Sequence, residues 1–339
     1  MKHVNIPVFV PHLGCPHDCV FCNQKKITGK QSFDISAVEA DISRQLSTVD
    51  SEKCSVEIAF FGGSFTGIPK DDMLALLAIS DKFVESGRVH SVRCSTRPDY
   101  IDSEILRILK EHNVKTVEIG VQSMDAQVLG ACARGHSPEQ TEGACRLIVE
   151  SGLELVGQMM VGLPFSDKEK ELETARAICR FGAKGARIYP TVVFKDTALL
   201  NMTQSGLYIP LDVEDAVDRC ADIIKIFVDN GVSIIRIGLC ESEGLHDNGI
   251  AAGAYHPALG EMCLSRYYYN LVVSQINMLT LSPNEDHKVR ITVNPRELSK
   301  LIGQNRVNKI MLGKKYPSIA FTFKADESLP CHQASITVL

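Results

Sequence analysis

From residue 4 to about residue 240, strand-like apolar runs alternate with amphipathic stretches. The runs 4–10 (VNIPVFV), 56–61 (VEIAFF), 91–95 (SVRCS), 116–121 (TVEIGV), 154–161 (ELVGQMMV), 185–193 (GARIYPTVV) and 233–239 (SIIRIGL) read as strands. Between the first two, Ile35, Val38, Ile42 and Leu46 fall on one helical face. Ser36 with Glu39, Ser137 with Gln140 and Ser166 with Glu169 each fit a capping box, and Pro138 suits a first helical position. Repeated β-α units of this length imply a parallel sheet covered by helices. A full or partial β/α barrel satisfies the pattern, and so does a doubly wound open sheet. After residue 240 the alternation fails. Residues 241–260 are rich in Gly and polar residues, and 281–287 (LSPNEDH) reads as a linker. The expected division is a β/α core over 1–240, an extension and linker over 241–282, and a small basic α+β domain over 283–339.

Composition narrows the class. The chain has 339 residues, 45% hydrophobic and 23% charged, as suits an enzyme with one large core. MKHVNIPVFVPHLGC offers a short apolar run without a cleavage site, so it reads as a first strand rather than a signal peptide. No apolar stretch is long enough to predict a transmembrane helix, and the expected location is cytoplasmic. Of twelve cysteines, Cys145, Cys179 and Cys220 lie in helical patterns and Cys94 in a strand, where free thiols act as small hydrophobes. A disulfide framework does not suit a chain of this length and context.

The exception is Cys15, Cys19 and Cys22, which form C-x3-C-x2-C directly after the first predicted strand. In a barrel enzyme that loop belongs to the active-site face. Zinc calls for four protein ligands, or three and a water, and a ferredoxin-type cluster wants a fourth thiolate nearby. Three thiolates on a four-iron cluster leave one iron open to an outside ligand.

At these residues the chain resembles the radical S-adenosylmethionine (SAM) superfamily. Phe21 stands before the third cysteine, and Gly62, Gly63 and Ser64 (FFGGSFTG) follow the second strand, where that family has its glycine-rich turn against the methionine amino group. STRPDY (95–100) and EIGVQS (118–123) are similar to the family's cofactor loops, with Arg97, Gln122 and Ser123 the candidate contacts. Arg134, in ARGH, resembles an arginine that reaches the methionine carboxylate in oxygen-independent coproporphyrinogen oxidase. The matching stretches STRPDYI, VEIGVQSMDAQVL, RIYPTVVFKDT and AGAYHPALGE are most similar to the radical domain of the Elongator catalytic subunit and to stand-alone bacterial proteins sharing it. The spacing of the first two cysteines is shorter than in the Elongator subunit, and no acetyltransferase domain follows within the chain. The resemblance implies an α/β fold, a partial (β/α) barrel with a small C-terminal α+β appendage. It also implies a 4Fe–4S cluster, SAM cleaved to methionine and a 5′-deoxyadenosyl radical, and an external electron donor of the flavodoxin or ferredoxin class.

Lys195, Arg236, Tyr255 and His256 stand at or beyond later strand ends and are the candidate substrate residues. Residues 288–324 carry nine Lys and Arg against Glu297 alone, a net charge of +8 in a chain whose total is −5. LIGQNRVNKI within them is similar to the helix-loop-helix of KH modules, with Arg306 in place of the second loop glycine. An RNA base, in tRNA, is therefore the leading substrate expectation. A small porphyrinogen-like molecule, or an RNA-binding role with a structural or sensing cluster, stays open at this point.

Overall fold

The computed structural model describes residues 2–10, 15, 19–22, 33–50, 53–239, 249–282 and 285–339. Residues 240–248 of the polar stretch and 283–284 of the expected linker lie outside these. Seven strands form one parallel sheet in chain order: β1 (Lys2–Val10), β2 (Cys54–Gly62), β3 (Ser91–Thr96), β4 (Val114–Gln122), β5 (Glu154–Val161), β6 (Gly185–Pro190) and β8 (Ser233–Ile237). The sheet curls into a half-barrel, an α/β architecture with helices packed against it. The helices of this part of the chain are α1 (Ile35–Leu46), α2 (Lys70–Glu85), α3 (Ser103–Glu111), α4 (Ala126–Ala131), α5 (Pro138–Glu150), α6 (Lys168–Arg180), α7 (Ala198–Gln204), α8 (Val213–Asp229) and α9 (Leu259–Asn277).

Strand alternation separates two faces. Val56, Ile58 and Phe60 of β2, Val92 and Cys94 of β3, and Val117, Ile119 and Val121 of β4 are buried in the main apolar core, which takes in Val38, Ile42 and Leu46 of α1. Their neighbours on the opposite face are polar: Glu57, Arg93, Glu118, Gln158 and Arg187. A parallel sheet usually carries apolar residues on both faces. Here the inner face is instead a buried ion network.

Local chemistry departs from expectation at three places. Only Ser137 forms a full capping box, reciprocated by Gln140, with Pro138 opening α5. Asp34 rather than Ser36 caps α1, and Asp167 rather than Ser166 caps α6. In each case the charged carboxylate next in line is the stronger acceptor for a helix N–H. The run 185–193 is two strands, not one. After Pro190 the chain turns, Thr191 bonds Val161 O through both N–H and Oγ1, and β7 (Val192–Phe194) pairs antiparallel with β9 (Ile250–Gly253). The polar stretch after 240 therefore holds a strand, and α9 continues the helical layer through its packing on α8.

At the C-terminus, β10 (His287–Val293), α10 (Leu298–Ile302), α11 (Val307–Lys315) and β11 (Ile319–Ala325) follow the expected β-α-loop-α-β order. A further strand, β12 (Ala334–Val338), was not expected and completes a sheet ordered β11-β10-β12. Val289, Ile291, Leu301 and Leu312 share an apolar cluster with Tyr268 and Val272 of α9. Polar contacts fasten the same face: Tyr268 donates to Glu297 at 2.8 Å, and Asn308 Nδ2 donates to Ser265 O at 2.8 Å. Among the described residues, no helix is long and apolar enough to cross a membrane.

Candidate functional site

The cysteine segment lies beside the ends of β1, β2 and β4 and is tied to two other loops. Val20 N–H donates to Cys132 O at 3.1 Å, and Leu199 N–H donates to Val20 O at 2.8 Å. Val20 and Phe21 pack against Val128, Cys132 and Leu163 on one side and Val193, Leu199 and Tyr208 on the other. Phe21 is thus an anchor for the loop. None of Cys15, Cys19 and Cys22 is in a disulfide; Cys19 is buried and the other two are half-buried. Burial pushes the Cys15 thiol up, opposed by a hydrogen bond from the Ser64 backbone and by the charges of Arg134 and Arg97. Among the described residues, no three His, Cys, Asp or Glu side chains are grouped to hold a single metal ion.

Gly62 closes β2 against β1. Its φ is +108°, and a Cβ there would stand 2.4 Å from Val10 O, so only glycine fits. Gly63 N–H then donates to that same oxygen at 2.9 Å. Ser64, 2% exposed, accepts the Arg97 N–H at 3.0 Å and lies 3.1 Å from Thr96 Oγ1. The turn after β2 is thereby locked to the turn after β3.

Arg97 is also 2% exposed. Its Nε and Nη2 grip Asp99, each at 2.9 Å, and Nη2 reaches Arg134 O at 2.6 Å. Its Nη1 is buried without a partner. Arg134 donates through Nη2 to Gly120 O at 2.9 Å and through Nη1 to Cys19 Sγ at 3.5 Å. Gln122 sits at a bulge in β4 with φ +62°, and its Oε1 is buried and unpartnered. Bulges of this kind re-aim a side chain beside a site. Ser123 Oγ accepts the Asp125 N–H at 3.1 Å and so serves the turn into α4.

The donor set fits a thiolate-bound cluster with a polar cofactor next to it. Three thiols outside any disulfide share one loop, and the Arg134 and Arg97 charges oppose the burial that pushes the Cys15 thiol up. The orphaned Arg97 Nη1 is a donor for a carboxylate, and the orphaned Gln122 Oε1 an acceptor for a hydroxyl or ammonium.

The later candidates separate. Arg236 is half-buried on β8, opposite Arg187 in register, and belongs to the barrel's inner face. Tyr255 packs on Val192, Phe194 and Ile250, its hydroxyl buried without a partner. Lys195 is exposed at the end of β7, where its N–H donates to Gly249 O at 2.9 Å. His256 is exposed and its Nδ1 accepts the Ala258 N–H at 3.0 Å, which commits it to the turn entering α9.

Two features went unread in the sequence. One is the inner-face network: Glu118, fully buried, accepts from Arg93 Nη1 at 3.0 Å, Arg187 Nε at 2.8 Å and Gln158 Nε2 at 2.9 Å, while Glu57 takes Arg93 Nε at 2.6 Å. Its signal was the charge inside each apolar run, as in VEIAFF and VEIGVQ. The other is His136, 6% exposed, whose Nε2 lies 3.1 Å from Arg134 Nε.

The radical SAM superfamily profile matches residues 9–178, and the Radical_SAM C-terminal domain profile matches 183–269. An uncharacterized protein of Methanocaldococcus jannaschii is 28% identical over 66% of this chain and 72% of its own length. The tRNA uridine(34) acetyltransferase of that organism is 26% identical over 60% of this chain and 45% of its own. Elongator complex protein 3 of Dictyostelium discoideum is 27% identical over 76% and 53%. The chain thus spans about half the length of the latter two. In fold it is similar to the solved archaeal Methanocaldococcus infernus Elp3, with TM-score 0.64 at 22% identity, covering 81% of this chain and 63% of that one.

Proposed function

The chain belongs to the radical SAM superfamily, and we propose that it modifies a base in tRNA, with Cys15, Cys19 and Cys22 holding the cluster. A 4Fe–4S cluster supplies one electron for reductive cleavage of SAM to methionine and a 5′-deoxyadenosyl radical. The chain's residues bind and orient around that chemistry. Cys15, Cys19 and Cys22 would hold the cluster through their three thiolates, leaving it open to the cofactor. Gly62, Gly63 and Ser64 would offer backbone to its ammonium group, the unpartnered Arg97 Nη1 would donate to its carboxylate, and the unpartnered Gln122 Oε1 would accept from its ribose. Phe21, clamped between two apolar clusters, keeps water from one side of the cluster. An external donor of the flavodoxin or ferredoxin class, in the cytoplasm, supplies the electron. Arg236, half-buried on the inner face of the half-barrel, is the residue proposed to meet the base.

The substrate class rests on the C-terminal module. Arg296, Arg306, Lys309, Lys314 and Lys315 are exposed around α10 and α11, and Lys288 and Lys324 on the outer sheet face. The turn Gly303–Arg306 projects Gln304, Asn305 and Arg306 to solvent, while Asn308 pins it from beneath to Ser265. Such a surface binds a phosphate backbone with little base preference and strong salt dependence. The names of the relatives, tRNA uridine(34) acetyltransferase and Elongator complex protein 3, point to the same substrate class. Acetyl transfer is no part of the proposal, because the matched stretch covers about half of those proteins.

Deleting residues after 282 would strip α9 of its apolar cover, so charge reversal is the better test. Filter binding of bulk tRNA should weaken by about tenfold or more in Arg306→Glu/Lys309→Glu, with a shallower salt slope. Affinity and slope equal to the parent chain would refute docking through this module.

A further inference from the structure

Arg134 is held on three sides. Its Nη2 donates to Gly120 O at 2.9 Å, its Nη1 to Cys19 Sγ at 3.5 Å, and its Nε to His136 Nε2 at 3.1 Å. Both side chains are buried, Arg134 8% and His136 6% exposed. The Gly120 contact is specific as well: a Cβ at Gly120 would stand 2.5 Å from Arg134 Nη2.

The hydrogen bonds fix the histidine tautomer. Accepting from Arg134 requires a bare Nε2, so the ring proton is on Nδ1. That proton points to Thr141 Oγ1 at 3.2 Å, and Thr141 in turn donates to Ser137 O at 3.1 Å. Every group in the chain Arg134–His136–Thr141–Ser137 is then satisfied, and the last two belong to the first turn of α5 and its cap. Burial, together with the Arg134 charge, pushes the imidazole down to about 4, so it stays neutral and keeps its lone pair.

We infer that Arg134 serves the cluster directly, donating an N–H···S hydrogen bond to the Cys19 thiolate, and that His136 is the positioning residue that aims it. This rests on the assignment of Cys19 as a cluster ligand. A hydrogen bond to a ligating sulfur stabilises the reduced, more negative cluster and raises its potential. His136 acts through Arg134 and not on the cofactor, so it sets the ease of reduction rather than SAM affinity.

The test is an EPR-monitored redox titration of the anaerobically reconstituted full chain, after iron and sulfide counts confirm four of each. His136→Leu should shift the midpoint to a more negative potential, while His136→Gln, which can accept and donate in place of the ring, should restore it. Arg134→Lys keeps the charge but cannot hold Gly120 O, Cys19 Sγ and His136 together, and should shift the midpoint the same way. Adding His136→Leu to Arg134→Lys should produce no further shift, because the histidine has lost what it aims. SAM affinity, read by equilibrium dialysis, should be unchanged in His136→Leu. A parental midpoint in both His136→Leu and Arg134→Lys would overturn the inference, as would additive shifts in the double variant. Should His136→Leu not fold, Arg134→Lys alone decides it. A four-iron cluster retained undisturbed in Cys19→Ser would instead refute the ligand assignment, a separate failure.

Discussion

Replacing Glu118 by Leu tests whether the inner face of the half-barrel is held by charge. Glu118 is fully buried and neutralises guanidiniums from two strands, Arg93 and Arg187, both about a tenth exposed. Glu118→Leu keeps an apolar side chain of similar bulk but leaves Arg187 without its carboxylate partner, while Arg93 retains Glu57. Breaking a buried pair by removing one partner costs about 3–5 kcal/mol, because the remaining charge is uncompensated. At ~2.1 cal/mol/K per residue, 339 residues give an unfolding entropy of about 0.7 kcal/mol/K. The midpoint should therefore fall by about 4–7 °C. Anaerobic calorimetry of the loaded parent and variant, at one scan rate, reads this. Adding Arg187→Met should recover most of the loss, since the stranded cation is then gone. A fall of less than about 1 °C, or no recovery in the double variant, would refute the network as a closed ion cluster.

Two further outcomes are expected. Gly62→Ala drives a methyl group against Val10 O, so SAM affinity should drop by about tenfold (~1.4 kcal/mol) in equilibrium dialysis while iron content holds; parental affinity would contradict the cradle. Burial resists ionisation of Glu297, yet hydrogen bonds from His332, Lys300 and Tyr268 outweigh it and hold the carboxyl at about 2. Its folded pKa lies below its unfolded one, so its contribution is whole above about pH 4.5 and is lost as pH falls toward 2. The urea midpoint of Glu297→Gln should therefore vary less with pH than the parent's across that window, and parallel curves would contradict it.

The parallel strands were legible because each leaves one apolar stripe for its helix, whereas their order was not, since the pattern fits a barrel and a doubly wound sheet alike and only the structure sets the strands in chain order. The cysteine loop and the glycine turn after β2 were readable as patterns, since a Cys spacing and a Gly-Gly pair are local in sequence. What stayed hidden was non-local. Glu57, Arg93, Glu118 and Arg187 sit on four strands and find one another only when the sheet curls. The break at Pro190 depends on Thr191 bonding Val161 O on a neighbouring strand. β12 carries a weakly apolar pattern, ASITV, and becomes a strand by pairing antiparallel with β10. Helix starts misread by one or two residues at Ser36 and Ser166 show that two adjacent cap formers compete, and that the aspartate wins in both. His136 needed the fold too, because its meaning lies in the arginine it touches.

The measurement that bears most directly on the central claim is 5′-deoxyadenosine formation. Anaerobically reconstituted protein, given SAM and dithionite, should form it, bulk tRNA should stimulate it, and Cys15→Ser, Cys19→Ser or Cys22→Ser should each abolish it. Absence of 5′-deoxyadenosine from protein carrying four irons, or formation that survives loss of any of the three cysteines, would contradict the account.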